Sequence, residues 1–137
     1  NISIQKGIGK SIKIGASTCC AGYGCFSLEH IEPNELIVEY KGEKISDAEA
    51  ERRGILYDIS GSSYIFGLNK DEALDAMYVG NKARFINHSE KPNCYAALRY
   101  VQGEQRVGIF AASQIHVGEE LFFDYKYGAE NKLDHFN

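Results

Sequence analysis

Apolar and polar residues alternate along this chain in short runs, the period of half-buried β-strands, and turn-forming residues separate the runs. Ser11-Ile12-Lys13-Ile14 alternates in this way, Ala21-Gly22-Tyr23-Gly24 supplies backbone free to take positive φ, and Cys25-Phe26-Ser27 resumes extended structure, which predicts strand, glycine turn, strand. Residues 31–34 form a turn around Pro33, and residues 36–40 make a strand with Leu36, Val38 and Tyr40 on one face. Ser46-Asp47-Ala48-Glu49 has the form of a capping box with acids in the first turn, so a helix is predicted from there to about Tyr57. Ser60-Gly61-Ser62-Ser63 ends it. Residues 64–68 and 74–79 read as strands joined by a turn at 69–72, residues 81–85 as a helical turn, and 95–101 with 105–111 as a hairpin about Gln102-Gly103-Glu104. A strand at 121–125 closes the sheet, with Leu121, Phe123 and Tyr125 on one face and Phe122 and Asp124 on the other. The tail from Gly128 is polar and loose.

Two features depart from plain strand patterning. In Arg84-Phe85-Ile86-Asn87-His88-Ser89-Glu90-Lys91-Pro92-Asn93-Cys94, side chains that compete for backbone hydrogen bonds follow an apolar pair, and Pro92 removes a donor. The chain must leave regular structure there while still anchored to a core, the setting in which loops carry function. There is also an internal echo. Gly24-Cys25-Phe26-Ser27 resembles Gly108-Ile109-Phe110-Ala111; an isoleucine follows each, then a turn, then a five-residue strand ending in an acid and a tyrosine, Glu39-Tyr40 and Asp124-Tyr125.

A chain of 137 residues with 44% hydrophobic content is expected to fold as one domain. A formal charge of −4 argues against binding a phosphate backbone and suits a basic peptide partner. The four cysteines form no CxxC pair, and neighbours such as Cys19-Cys20 rarely bond each other, so Cys19, Cys20, Cys25 and Cys94 are expected to be reduced thiols of an intracellular protein. No run of about 18 apolar residues and no signal segment is present, which predicts a soluble chain; the missing initial Met marks a piece of something longer. Signatures of the common hydrolases, kinases and dinucleotide enzymes are absent. His30 and His116 fall in solvated turns and His135 in the tail, which leaves His88, with no nearby Cys or Asp, and the nine tyrosines as the suspicious chemistry.

The blocks Arg84 to Ser89 with Pro92-Asn93-Cys94, Glu119-Glu120-Leu121-Phe122-Phe123-Asp124-Tyr125, and Ala21-Gly22-Tyr23-Gly24 together resemble the signatures of SET-domain protein lysine methyltransferases. Glu39-Tyr40-Lys41-Gly42-Glu43-Lys44-Ile45-Ser46, the segment 49–54 and Arg106-Val107-Gly108-Ile109-Phe110-Ala111 resemble the Enhancer of zeste branch, the catalytic subunits of Polycomb repressive complex 2. The resemblance implies a mainly β fold with short helices (α+β), a β-clip-like set of small sheets with a C-terminal pseudoknot. The catalytic domain would span 1–127, and 128–137 would be a short flexible tail without a zinc cluster.

It implies S-adenosyl-L-methionine held by Gly22, Tyr23, Gly24, Ser63, Tyr64, Asn87, His88 and Tyr125. A lysine channel would be lined by Tyr40, Phe66, Phe123, Tyr125 and Tyr127, with Tyr125, Tyr40 and His88 as catalytic residues and Tyr125 the principal one. Phe123 would leave room for higher methylation and Tyr40 would limit use of methylated lysine. Glu90 stands where many members carry a zinc-binding cysteine, and no metal is expected; Tyr23 stands where the branch commonly carries tryptophan. The substrate implied is the histone H3 tail at lysine 27, in Polycomb-type transcriptional repression in the nucleus, with regulatory subunits required for activity and no nucleic-acid or membrane site in this fragment. The alternatives are a noncatalytic reader of a lysine-bearing tail, or a methyltransferase of another histone or nonhistone lysine.

Overall fold

The computed structural model describes residues 9–60 and 65–124, apart from the side chains of 57–60. Among the described residues, ten strands form four small sheets around one large apolar cluster, with a smaller one of Ala97, Val101 and Phe110 beside it. Strands β1 (Ile12–Ala16) and β2 (Tyr23–Ser27) pair antiparallel, from Ile12 opposite Ser27 to Ala16 opposite Tyr23. Strand β3 (Leu36–Tyr40) lies on β9 (Glu104–Ala111), which also pairs with β8 (Cys94–Val101) through the expected tight hairpin. Strands β4 (Glu43–Ser46), β5 (Ile65–Gly67) and β6 (Glu72–Asp75) form a third sheet in the order β4-β6-β5. Strands β7 (Asn87–His88) and β10 (Phe122–Phe123) pair in parallel. No helix among the described residues is long and apolar enough to cross a membrane.

The internal echo is the organising symmetry of the core. Ile31 and Ile115 exchange backbone hydrogen bonds of 2.9 Å in both directions. The bonds flanking them correspond: Ser27 N–H donates to Glu119 O while Ser27 O accepts from Gly118 N–H, and Ala111 N–H donates to Glu35 O while Ala111 O accepts from Asn34 N–H. Glu35 and Glu119 each close their own turn by accepting the backbone N–H of Glu32 and His116. Asn34 and Gly118 take positive φ at corresponding positions, 69° and 90°, the conformation asparagine and glycine tolerate. The two units thus clasp one another, and Ile31, Ile37, Ile115 and Leu121 are fully buried where they meet. Each such side chain contributes roughly 2–3 kcal/mol of hydrophobic stabilisation.

Several elements differ from the sequence-based expectation. The register slips between Leu36 and Val38, so that Ile37, not its neighbours, is fully buried, while Leu36 and Val38 are half-buried. A bulge shifts which face each side chain takes. The strand expected at 74–79 ends at Asp75. There the Asp75 carboxylate accepts the Met77 N–H, and the Arg84 guanidinium takes the carbonyls of Ala76 and Met77, so these backbone groups leave the ladder. Tyr78 and Val79 are exposed in consequence. Residues 121–124 keep the expected alternation, with Leu121 and Phe123 buried, but ladder pairing is confined to Phe122–Phe123 and Phe122 is only half-buried; Tyr125 lies outside the described residues.

The serine half of the capping box forms, the Glu49 N–H donating to Ser46 Oγ, while the Glu49 carboxylate turns to Arg52 and Arg53; helix α1 (Asp47–Ser60) runs three residues beyond Tyr57. Its acid-rich start is less a solvated face than a joint. Arg53 reaches Glu43, Glu49 and the fully buried Asp75 at 2.8, 2.7 and 3.0 Å, fastening the helix to the β4-β6-β5 sheet. These partners, Glu43 first, raise the Arg53 pKa, and hydrogen bonds from Arg52 and then Arg53 pull Glu49 down to about 2. A carboxylate with a depressed folded-state pKa stabilises the fold above its unfolded value and loses that contribution as pH falls through the folded one. Thermal unfolding followed between pH 5 and 2 is therefore expected to show a loss of stability that Glu49→Gln reduces; an unchanged acid profile in that variant would contradict the assignment.

Candidate functional site

The site is built where the β7-β10 ladder crosses the core. Phe122 pairs with Asn87 and Phe123 with His88. The Ser89 N–H donates to Phe123 O at 3.2 Å. Asn93 clamps the crossing: its amide donates to Glu120 O at 2.9 Å, its side-chain oxygen accepts the Phe122 N–H at 2.8 Å, and its carbonyl accepts the Ala112 N–H at 2.8 Å. The short 3-10 helix Lys82–Phe85, capped by Asn81, delivers the chain into β7. Parallel pairing of such short strands is weak by itself, so the clamp matters.

On one side of the ladder the rings of Tyr40, Phe66 and Phe123 form a continuous buried wall. Tyr40 and Phe66 centroids lie 4.9 Å apart and Phe66 and Phe123 centroids 5.9 Å apart, both tilted, the arrangement preferred by aromatic quadrupoles. Three separate sheets supply these rings. Behind Tyr40, the Glu39 carboxylate takes the Arg106 guanidinium through two bonds of 2.6 and 2.8 Å, which fixes the end of β3 against β9 and raises the Arg106 pKa.

On the other side lies the loop between β1 and β2. The Ser17 N–H donates to Gly22 O at 3.0 Å, and Gly22 sits at φ 92° with no atom of the described residues within 4 Å of where a Cβ would stand. Tyr23 is 65% exposed, its ring edge-on to Phe85. The Asn87 amide donates to Tyr23 O at 3.0 Å, to Glu120 Oε2 at 3.1 Å and to Ser17 Oγ at 3.3 Å. Thus Gly22, Tyr23, Gly24 and Asn87 share one edge, Tyr40, Phe66 and Phe123 share a wall, and His88 follows Asn87 in β7, paired with Phe123 of that wall. Ser63, Tyr64, Tyr125 and Tyr127 lie outside the described residues.

Sequence reasoning missed three groups here. His88 does have an acidic neighbour, for its Nδ1 is 3.7 Å from Asp124 Oδ1 across the ladder. Glu120 is nearly buried although strand alternation sets it beside Phe122 and Asp124 on the less buried face. Burial works against its charge, yet hydrogen bonds from Thr18, Asn87 and Ser17 hold its pKa below the ordinary value. Its one sequence signal was an acid adjoining the fully buried Leu121. The cysteines also need correction: Cys19 and Cys20 are joined in a disulfide between neighbours, while Cys25 and Cys94 are buried free thiols. The Ser17 hydroxyl folds this loop tightly by accepting the N–H of both Cys19 and Cys20, bringing the pair together.

Comparison with known proteins shows the family to which the fold belongs. Residues 22–126 match the SET domain family, and the chain belongs to that family. It is 50% identical over 110 residues to the histone-lysine N-methyltransferase EZA1 of Arabidopsis thaliana, covering 80% of this chain and 13% of that protein. It is 46% identical over 134 residues to the histone-lysine N-methyltransferase mes-2 of Caenorhabditis elegans, covering 97% and 17%. A solved structure of Chaetomium thermophilum Polycomb repressive complex 2, autoinhibited and bound to S-adenosylmethionine, superposes with a TM-score of 0.87 at 38% identity, covering 93% of this chain and 16% of that one. Within the SET family the chain stands in the Enhancer of zeste branch. It spans less than a fifth of the length of these relatives.

The two buried thiols give a check on the packing around the crossing. Burial raises Cys25 to about 11 and Cys94 to about 12, so neither carries appreciable thiolate at pH 8. After reduction, iodoacetamide at pH 8 is expected to modify Cys19 and Cys20 within minutes and to reach Cys25 and Cys94 only on unfolding, as read by peptide mass spectrometry. Rapid labelling of Cys94 in the folded protein would contradict this packing.

Proposed function

We propose that this chain is the catalytic domain of an S-adenosylmethionine-dependent histone-lysine N-methyltransferase of the Polycomb type, acting on lysine 27 of the histone H3 tail in the nucleus together with regulatory subunits. The observation that carries the reading is the juxtaposition of a buried three-ring wall with a polar backbone edge across one short ladder. The cofactor-side residues fit such a ligand: the turn at Gly22 is open on the side a Cβ would take, the Tyr23 ring is exposed for stacking, and Asn87 is held from behind through its amide, which leaves its oxygen for a ligand donor. Gly22, Tyr23, Gly24, Asn87 and His88 would hold it, with Ser63, Tyr64 and Tyr125 completing the contacts. S-adenosylmethionine supplies a methyl group activated by a sulfonium charge.

The protein's part is to present a neutral amine in line with that methyl. A free lysine, with a pKa of about 10.4, lies about three units from neutrality near pH 7.4, a cost of roughly 4 kcal/mol. Burial among Tyr40, Phe66 and Phe123 strips water from the ammonium and lowers its pKa, as does a neighbouring positive charge. The same ring faces accommodate the methylammonium product by cation–π attraction. Phe123 carries no hydroxyl to retain a water, which leaves space for successive methyl groups, and the Tyr40 phenol restricts entry of lysine already methylated. Tyr125 orients the amine, and alignment of the reacting atoms accounts for much of the rate.

The test is mass spectrometry of histone H3 peptides incubated with S-adenosylmethionine and the full-length protein assembled with its regulatory subunits. Methylation at lysine 27 is expected, and Tyr125→Phe is expected to lower turnover at saturating cofactor by about a hundredfold. Binding of peptide without any response to S-adenosylmethionine would identify a reader instead, and near wild-type turnover in Tyr125→Phe would remove that residue from the chemistry.

A further inference from the structure

We propose that Glu120 is the positioning residue of the cofactor edge, and that residue 24 is glycine because the Glu120 carboxylate occupies the space a side chain would need. The inference rests on the cofactor reading above and extends it to a group that contacts no reacting atom. Glu120 is 7% exposed and comes from the chain just before β10, yet it accepts from four donors on other segments. These are the Thr18 N–H and hydroxyl, both at 2.7 Å, the Ser17 hydroxyl at 2.9 Å and the Asn87 amide at 3.1 Å.

One carboxylate therefore fixes both halves of the edge. Through Ser17 and Thr18 it sets the loop that ends at Gly22, because Ser17 also closes the turn with Gly22 and caps the N–H groups of Cys19 and Cys20. Through Asn87 it orients the amide, since a donor face turned to a carboxylate leaves the acceptor face outward. Ionised carboxylates accept only, so flipping the amide would place oxygen against oxygen.

Gly24 gives an independent observation. A Cβ built there collides with the Glu120 carboxylate group, whereas its next neighbour, the Asn87 amide nitrogen, stands 3.3 Å away, a contact small shifts relieve. Gly24 has no positive φ, unlike Gly22, Gly103 and Gly118, so backbone conformation does not demand glycine at this position. The demand comes from the carboxylate.

The experiment measures equilibrium binding of S-adenosylmethionine and S-adenosylhomocysteine by calorimetry, using the full-length assembled protein. Glu120→Ala, Glu120→Gln, Gly24→Ala and the double variant Gly24→Ala/Glu120→Ala are compared, with KM for the peptide at saturating cofactor and the melting temperature recorded for each. Glu120→Ala is expected to weaken cofactor binding at least about tenfold with the peptide KM within about twofold, and Glu120→Gln, which keeps the shape but loses an acceptor, to fall between. Gly24→Ala should cost about tenfold alone and about twofold or less once Glu120 is alanine. If Glu120→Ala does not fold, the near-isosteric Glu120→Gln decides the same comparison. Equal losses in cofactor affinity and peptide KM, cofactor affinity within twofold of wild type, or additive Gly24 and Glu120 effects would each overturn the proposal. Failure of the wild-type protein to bind either ligand would overturn the cofactor reading instead.

Discussion

The structure depends on one crossing, the parallel pairing of Asn87–His88 with Phe122–Phe123 under the Asn93 clamp. Two residues of ladder would not hold two distant segments together in water. They hold because Ile86, Cys94 and Leu121 on either side are almost completely buried, and because Asn93 satisfies backbone groups on 112, 120 and 122 that would otherwise be lost in the core. Unpaired buried backbone groups cost about 1–3 kcal/mol each, so one asparagine making three such bonds weighs heavily in a small domain. The consequence for function is spatial. The crossing sets the polar edge, proposed above to take the cofactor, back to back with the ring that completes an aromatic wall.

Charge is used in this molecule mainly to join segments. Arg53 ties α1 to buried Asp75, Arg106 ties the end of β3 to β9, and Glu120 ties the glycine loop to Asn87. Each links parts far apart in sequence: Asp75 lies in the sheet that carries Phe66, Glu39 adjoins Tyr40, and Glu120 stands just before β10. Exposed ion pairs contribute little to stability, but a partly buried group with several donors fixes geometry. The aromatic wall needs such fixing because Tyr40, Phe66 and Phe123 come from three sheets that share no ladder.

Local chemistry made much of this legible. The serine cap at Ser46, the hairpin about Gln102-Gly103 and the short helical turn after Asn81 all follow from residues within a few positions of each other, and they formed. The echo between Gly24-Cys25-Phe26-Ser27 and Gly108-Ile109-Phe110-Ala111 was visible as letters, but that its halves clasp through Ile31 and Ile115 was not, since pairing partners are not written in a single segment. The bulge at Ile37 and the early end of β6 were missed because both arise from groups elsewhere, the register of β9 and the reach of Arg84. In the candidate site, Tyr40, Phe66 and Phe123 were named from separate sequence blocks, and the fold brings these three rings together. The buried state of Glu120 and the approach of Asp124 to His88 were not readable, because a distant loop and a threaded strand create them.

In the proposed reading, the cofactor edge and the lysine wall meet end to end across the crossing. A bisubstrate molecule tests this most directly, in which an S-adenosylhomocysteine analogue with nitrogen in place of sulfur is joined through a short linker to the lysine side chain of a histone H3 peptide. Bound to the full-length assembled protein, it is expected to displace both S-adenosylmethionine and peptide competitively and to bind at least about a hundredfold more tightly than either half, as linked ligands do when the linker spans the sites. Displacement of only one of the two, with no gain in affinity, would show that the edge and the wall do not form one reaction chamber.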